Sequence, residues 1–253
     1  MHAMSNPRDH AHHPQHVPGE EATDSAGATW GGRVLSPSGF ETDTGVADPG
    51  LVAALVADDA TLMAAVESGR FLVPIVAEPV AVDDSGPLAV DTHVDMAVVT
   101  LVAPDGQRAL PVFTGLEALA AWDPQARPSP VTPARMAKAA VSERCDVIVV
   151  DLAGPARVLR PSMVWSLAQE RPWQPPATDP FVDHSVRRAV ADEGAITAYR
   201  LADATDGVLV VELTLAPGLA TDHVQALATR VGERLATDGE LRARIDGLTF
   251  RLR

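Results

Sequence analysis

The sequence predicts an α+β protein of two small domains, each a mixed or antiparallel sheet flanked by helices, behind a disordered N-terminal tail. Three observations lead there. Apolar residues switch repeatedly between short alternating or continuous runs and helical spacing. Prolines at 172, 175, 176 and 180 crowd around Trp173, where both helix and sheet pairing are interrupted. The first 28 residues are polar, carry prolines and hold almost no large apolar side chain, so they cannot bury enough surface to offset the entropy of ordering.

After the tail, Trp30, Leu35 and Phe40 are expected to dock as an extended segment. Asp48-Pro49 supplies an N-cap and a first-turn proline for a helix whose apolar face is Leu51, Val52, Leu55 and Val56. A second short helix carries Leu62, Met63 and Val66 and ends at Gly69, read as a left-handed residue beyond the last turn. Phe71 to Val76 follows as a strand. Met96 to Ala103 and Arg108 to Phe113 make two strands around Asp105-Gly106, since Asp-Gly suits the positive φ of a hairpin turn. Thr114-Gly115-Leu116-Glu117 has the pattern of a capping box, in which hydroxyl and carboxylate satisfy orphan amides at a helix start. That helix ends near Trp122, before a proline-rich loop through Pro124, Pro128 and Pro130. Thr132-Pro133 opens another helix with Met136, Ala140 and Val141 inward, then comes a strand from Asp146 to Leu152, and Pro161 opens the last helix of this half.

Beyond the prolines the expected order is helix, strand, strand, helix, strand, with Asp206-Gly207 joining the two hairpin strands. The long helix shows Val224, Leu227, Val231 and Leu235 at helical spacing, with Thr221 as N-cap and Gly239 just past its end. In the final strand Leu248, Phe250 and Leu252 alternate with Thr249, Arg251 and Arg253. A small sheet covered on one side by helices is the economical arrangement. The divisions are then a histidine-rich tail over residues 1–28, one domain over 29–174 and a second over 175–253.

The formal net charge of −14 argues against nucleic acid or an anionic membrane as partner, because both repel an acidic chain. Residues 184–253 are nearly neutral, so the excess acidity lies earlier. Cys145 is the sole cysteine, which excludes an intramolecular disulfide and a CxxC motif and fits a reducing cytoplasm. No charged-then-apolar signal segment opens the chain, and its longest apolar runs are too short to span a bilayer. Phosphate-loop, dinucleotide, HExxH and GxSxG spacings are absent, so no cofactor is expected.

Among chemistry-bearing residues, His10, His12, His13 and His16 have a spacing that captures divalent metals, but a flexible tail lacks the surrounding groups that hold ligands, and a solvated tail is the favoured reading. Asp91, His93 and Asp95 bring ligand types together before a strand, and here too a solvated acidic loop is favoured, so no metal site is assigned. His184 and His223 read as surface or capping residues, Lys138 as part of a solvated helix face, and Cys145 as a buried, inert thiol. The binding candidates are Phe113 with Trp122, and Arg160 with Trp165, where aromatic surface and a cation meet a small anionic metabolite or a peptide. Core packing is the competing reading of these aromatics. Arg187, Arg188, Arg242, Arg244, Arg251 and Arg253 read as a basic strip or, more simply, as solvated faces.

Three stretches together resemble a known family. Leu51 to Pro74 gives paired short helices running into a Phe-Leu-Val-Pro strand, Leu110 to Leu119 with Trp122 gives a strand-to-helix signature, and Leu159-Arg160-Pro161 to Trp173 closes the half. In these the chain looks like an actinobacterial member of the SseB family, named for enhanced serine sensitivity. The resemblance runs over roughly residues 30–253 and implies N-terminal and C-terminal SseB domains in the order the prolines suggest. Its motifs are structural and bring no active site. With the missing catalytic spacings, it implies a non-catalytic cytosolic binding or regulatory protein connected with serine or amino-acid metabolism or with translation. The partner would be a protein or a small anionic metabolite. The alternative is an enzyme acting on a small anionic metabolite, with its site near Asp91, His93 and Asp95 or around Arg160.

Overall fold

A computed structural model of the chain describes residues 39–77 and 96–253. The expectations for the tail with its histidines, for Trp30 and Leu35, and for Asp91, His93 and Asp95 lie outside these residues. In the short stretch 39–42 the Gly39 amide donates to Glu41 Oε1. Residues 43–253 are one compact unit.

That unit opens with α1 (Pro49–Ala54), which starts where Asp48 accepts from the amides of Gly50 and Leu51, as the Asp-Pro pair predicts. Half of its expected apolar face is used: Leu51 and Leu55 are buried, whereas Val52 and Val56 face solvent. The next helix, α2 (Asp59–Ser68), is capped by Asp58 and buries Leu62, Met63 and Val66. Gly69 is extended, at φ −78° and ψ 173°, rather than left-handed, because the chain runs straight on into β1 (Phe71–Ala77).

Residues 96–103 form two strands, not one. Met96–Val98 (β2) pairs antiparallel with β1, while Leu101–Val102 (β3) pairs antiparallel with β4 (Arg108–Val112), so the chain changes sheets at Val99-Thr100. The expected Asp-Gly turn joins β3 to β4, with Gly106 at φ 89°. After α3 (Leu116–Trp122), the proline-rich stretch read as a loop is in part a strand, β5 (Arg127–Val131), antiparallel to β1. Leu72 explains how prolines fit there. It exchanges both backbone bonds with Phe113 (2.8 and 2.9 Å), so its partner on the other side, Pro130, faces away from it. Pro128, two residues back, faces the same way, and both missing N–H groups lie at the open edge.

Thr132 caps α4 (Pro133–Ser142), which buries Met136, Ala137 and Ala140; Val141, expected inward, is exposed and Ala137 takes its place. Then follow β6 (Val147–Val150), β7 (Arg157–Leu159), which the sequence pattern does not reveal, and α5 (Pro161–Ala168). Left-handed closures occur after α4 and α5, at Arg144 and Glu170 (φ 55° each), sealed by Cys145 N–H to Ala140 O and Arg171 N–H to Ser166 O. The strands make two sheets, β2-β1-β5 and β3-β4-β6-β7, and in the second β4 and β6 are neighbours and parallel. Leu62, Phe71, Leu110, Met136, Ile148 and Met163 centre one buried cluster between these sheets and α1, α2, α4 and α5.

The proline stretch at 172–180 is fastened down. Trp173 packs on that cluster, its amide donates to Glu67 Oε1, and its indole N–H to Ser162 Oγ (3.2 Å). Asp179 caps α6 (Pro180–Val190), followed by β8 (Ile196–Asp203), β9 (Val208–Leu215), α7 (Thr221–Ala236), α8 (Gly239–Arg244) and β10 (Gly247–Leu252). The expected order therefore holds with one helix added. Gly239 begins α8 behind the Asp238 cap instead of trailing α7, and Ala220, not Thr221, is the cap residue of α7. The sheet order is β10-β9-β8, and Leu209, Val211 and Leu213 of β9 face Val182, Val186, Leu227 and Val231 in a second buried cluster. The protein is α+β, and the described residues form one antiparallel and two mixed sheets flanked by helices.

Candidate functional site

Because β4 and β6 run parallel in register, with Val112 opposite Val150, both strands release their chains at the same sheet edge. Crevices at the carboxyl ends of parallel strands are where side chains and backbone from successive loops converge on ligands. Here β4 continues into Thr114-Gly115 and α3, and β6 into Asp151 and the turn through Gly154. Asp151 is buried at φ 51°, and its carboxylate is turned onto Thr114: Oδ1 accepts from the Thr114 amide (2.8 Å) and Oδ2 from the hydroxyl (2.7 Å). The Asp151 amide in turn donates to Val112 O, locking the two strand ends together.

This pairing explains why the expected capping box does not form. The Thr114 hydroxyl is engaged by Asp151, so α3 starts at Gly115 with no side-chain cap, and the Leu116 amide donates instead to Gly45 O (2.8 Å). Gly115 allows that approach, since a Cβ there would stand 2.7 Å from the Ala47 amide nitrogen. The Gly45–Ala47 segment, α1, the start of α3 and the loop after β6 thus enclose a groove of about 540 Å³. Its walls are apolar and open: Val46 is 73% exposed, Leu116 43% and Val52 39%. The charged side chains at the groove are both acidic, Glu117 and the occupied Asp151. Such a surface takes uncharged apolar groups and repels anions.

The four binding candidates from the sequence fall into three places, none of them this groove. Phe113 is fully buried against Trp122, ring centroids 5.4 Å apart, in a small cluster with Leu72 and Leu119. Arg160 donates from Nη2 to Asp59 (2.7 Å) and from Nε to Asp246 (2.9 Å), while the amide and hydroxyl of Ser162 also reach Asp246. Burial opposes the charge on Asp59, yet Arg160 and Arg157 outweigh it and hold that carboxyl below its usual range. Trp165 lines a second groove, of about 560 Å³, with Val141, Cys145 and Val164, and carries Arg244 and Arg171 over its ring at 5.3 and 5.8 Å. Burial pushes the Cys145 thiol up, in keeping with an inert cysteine. His184 and His223 are exposed, and Lys138 pairs with Glu170 at the surface. Among the described residues no cluster of three or more His, Cys, Asp or Glu could hold a metal ion.

Sequence reasoning passed over Thr114 as a cap and Asp151 altogether. One signal pointed to them: each directly follows an apolar strand run, and a strand-helix-strand order places the ends of two parallel strands side by side.

Residues 51–166 match the family model described as the SseB protein N-terminal domain. The match contains Thr114, Gly115, Leu116 and Asp151 and ends within α5, short of the C-terminal domain that the resemblance implies. No curated protein matches the chain, and neither does any solved structure.

Proposed function

The chain carries the SseB N-terminal domain, and on that premise we propose that it is a non-catalytic cytoplasmic binding or regulatory protein that takes an apolar segment of a partner protein into the groove at the ends of β4 and β6. One observation carries this reading: the groove's buried carboxylate has both oxygens occupied by Thr114, while its open walls are Val46, Val52 and Leu116. A buried catalytic carboxylate needs a free oxygen directed at substrate, which Asp151 lacks, and an anionic metabolite needs a cation, which the residues lining this groove do not include. The lone cysteine supports a reducing compartment, and no helix among the described residues is long and apolar enough to cross a membrane. The serine phenotype in the family's name supports a partner in amino-acid metabolism or translation.

Selection of a displayed peptide library on the wild-type protein, then counter-selection on Leu116→Glu, tests the reading. Peptides with spaced apolar side chains are expected to be enriched by the wild type and rejected by the variant. Enrichment indifferent to Leu116→Glu, or turnover of a small anionic substrate, overturns it.

A further inference from the structure

The sheet of β8, β9 and β10 has one face against α6 and α7 and a second face made by the alternate residues of each strand. On that second face Arg200, Glu212 and Arg251 stand in one row across the three strands, since each arginine is the direct cross-strand partner of Glu212. Arg253 follows Arg251 on the same side of β10. Glu212 accepts from Arg251 Nη1 (2.7 Å), Arg253 Nη2 (3.1 Å) and Arg200 Nε (3.1 Å). The carboxylate is 4% exposed, whereas the arginines are 70%, 59% and 58% exposed at Arg200, Arg251 and Arg253.

One arginine suffices to neutralise one carboxylate, so among the described residues two positive charges on this face have no counterpart. The other positions, Ala198, Ala202, Val208, Val210, Thr214, Gly247 and Thr249, are small or uncharged, and among the described residues no second acidic side chain shares the face. Glu212 acts as a peg that holds three guanidinium groups side by side, with most of their N–H donors directed away from it. This concentration of positive charge sits in a chain of net charge −14.

We propose that the Arg200, Arg251 and Arg253 face docks a short acidic segment of a partner protein. A three-stranded face is a platform rather than a cleft, so it fits an extended polypeptide whose carboxylates meet the arginines in turn better than a small ion needing enclosure. A nucleic acid or an anionic bilayer would extend its charge over the acidic remainder of the molecule. A short segment answers only to charges within a screening length of about 8 Å. This surface is separate from the β4–β6 groove and independent of the reading given for it.

Fluorescein-labelled hexaglutamate, titrated against the full chain at low ionic strength and followed by anisotropy, tests the proposal. Binding is expected for the wild type, weakening as salt is added, and falling about two- to fivefold in Arg200→Gln and again in Arg251→Gln. Each single variant leaves Glu212 at least two arginines, so thermal melting is expected to change little, and Leu116→Glu is expected to bind hexaglutamate like the wild type. Absent binding, or binding untouched by the arginine substitutions, overturns the proposal. So does equal occupancy by inorganic phosphate at matched charge, which would mark a small-anion site, or a salt-sensitive dimer in sedimentation that Arg200→Gln dissociates, which would make the occupant a second copy.

Discussion

Arg160 and Asp246 join the β8–β10 region to the helices and sheets before it through an ion pair whose members are mostly buried, 16% and 5% exposed. Gly207, at φ 72° in the turn between β8 and β9, packs against that pair: a Cβ there would come within 2.7 Å of Arg160 Nε and closer still to Asp246 Oδ2. Gly207→Ala therefore combines backbone strain with displacement of a nearly buried ion pair. It is expected to lower unfolding free energy by about 2–4 kcal/mol, measured by chemical denaturation; an unchanged midpoint would contradict this role for the turn. On the sequence alone Arg160 reads as a cation waiting for a ligand. Its ligands are Asp59 and Asp246, 101 and 86 residues away, and separations of that size leave no local trace in composition or spacing.

At the scale of elements, local chemistry was legible at several helix starts and turns. Asp48-Pro49, Thr132-Pro133 and the two Asp-Gly turns stand where their backbone preferences place them. Two of the failures depended on a distant strand. Thr114 answers to Asp151 rather than to its own helix, and β5 is a strand because β1 offers it an edge. The β5 assignment has a sharp consequence. Ser129 is the partner of Val73 and, one residue out of phase with the prolines, points its N–H toward β1. Ser129→Pro is expected to cost about 3 kcal/mol by removing a ladder bond, whereas Pro130→Ala, at the open edge, is expected to stay within about 1 kcal/mol of wild type. Thermal melts of the two variants check this, and equal losses would show that β5 does not pair in this register.

Across the whole molecule, one buried cluster lies before the prolines and another after them, and within the single compact unit of residues 43–253 the Arg160 bridge and the packing of α5 against α8 couple the two. Electrostatics acts on the same scale. Asp59, Glu193, Glu212 and Asp238 carry carboxyls held below their usual range, opposed by burial and overcome by arginines or by amide and hydroxyl donors. Unfolded, these groups take up protons first, so their contribution is fully present above their ordinary values of about 4 and is lost as pH falls through the lowered folded ones. Relief of negative self-repulsion works the other way only down to the isoelectric point near 4.8. The melting temperature is thus expected to hold or rise slightly from pH 7 to about 5 and to drop steeply below about 4; a continued rise toward pH 3 would contradict these pairings. Residues 51–166, which match the SseB N-terminal domain model, are legible through apolar strands and caps, but the groove at their centre arises only when β4 and β6 lie parallel. The most direct measurement is the amide chemical-shift footprint of a selected apolar peptide on the 15N-labelled full chain. The largest shifts are expected at Val46, Val52, Thr114 to Ala118 and Asp151 to Gly154, disappearing in Leu116→Glu; a footprint centred on Val141 and Trp165, or none at all, would contradict the β4–β6 groove as the docking site.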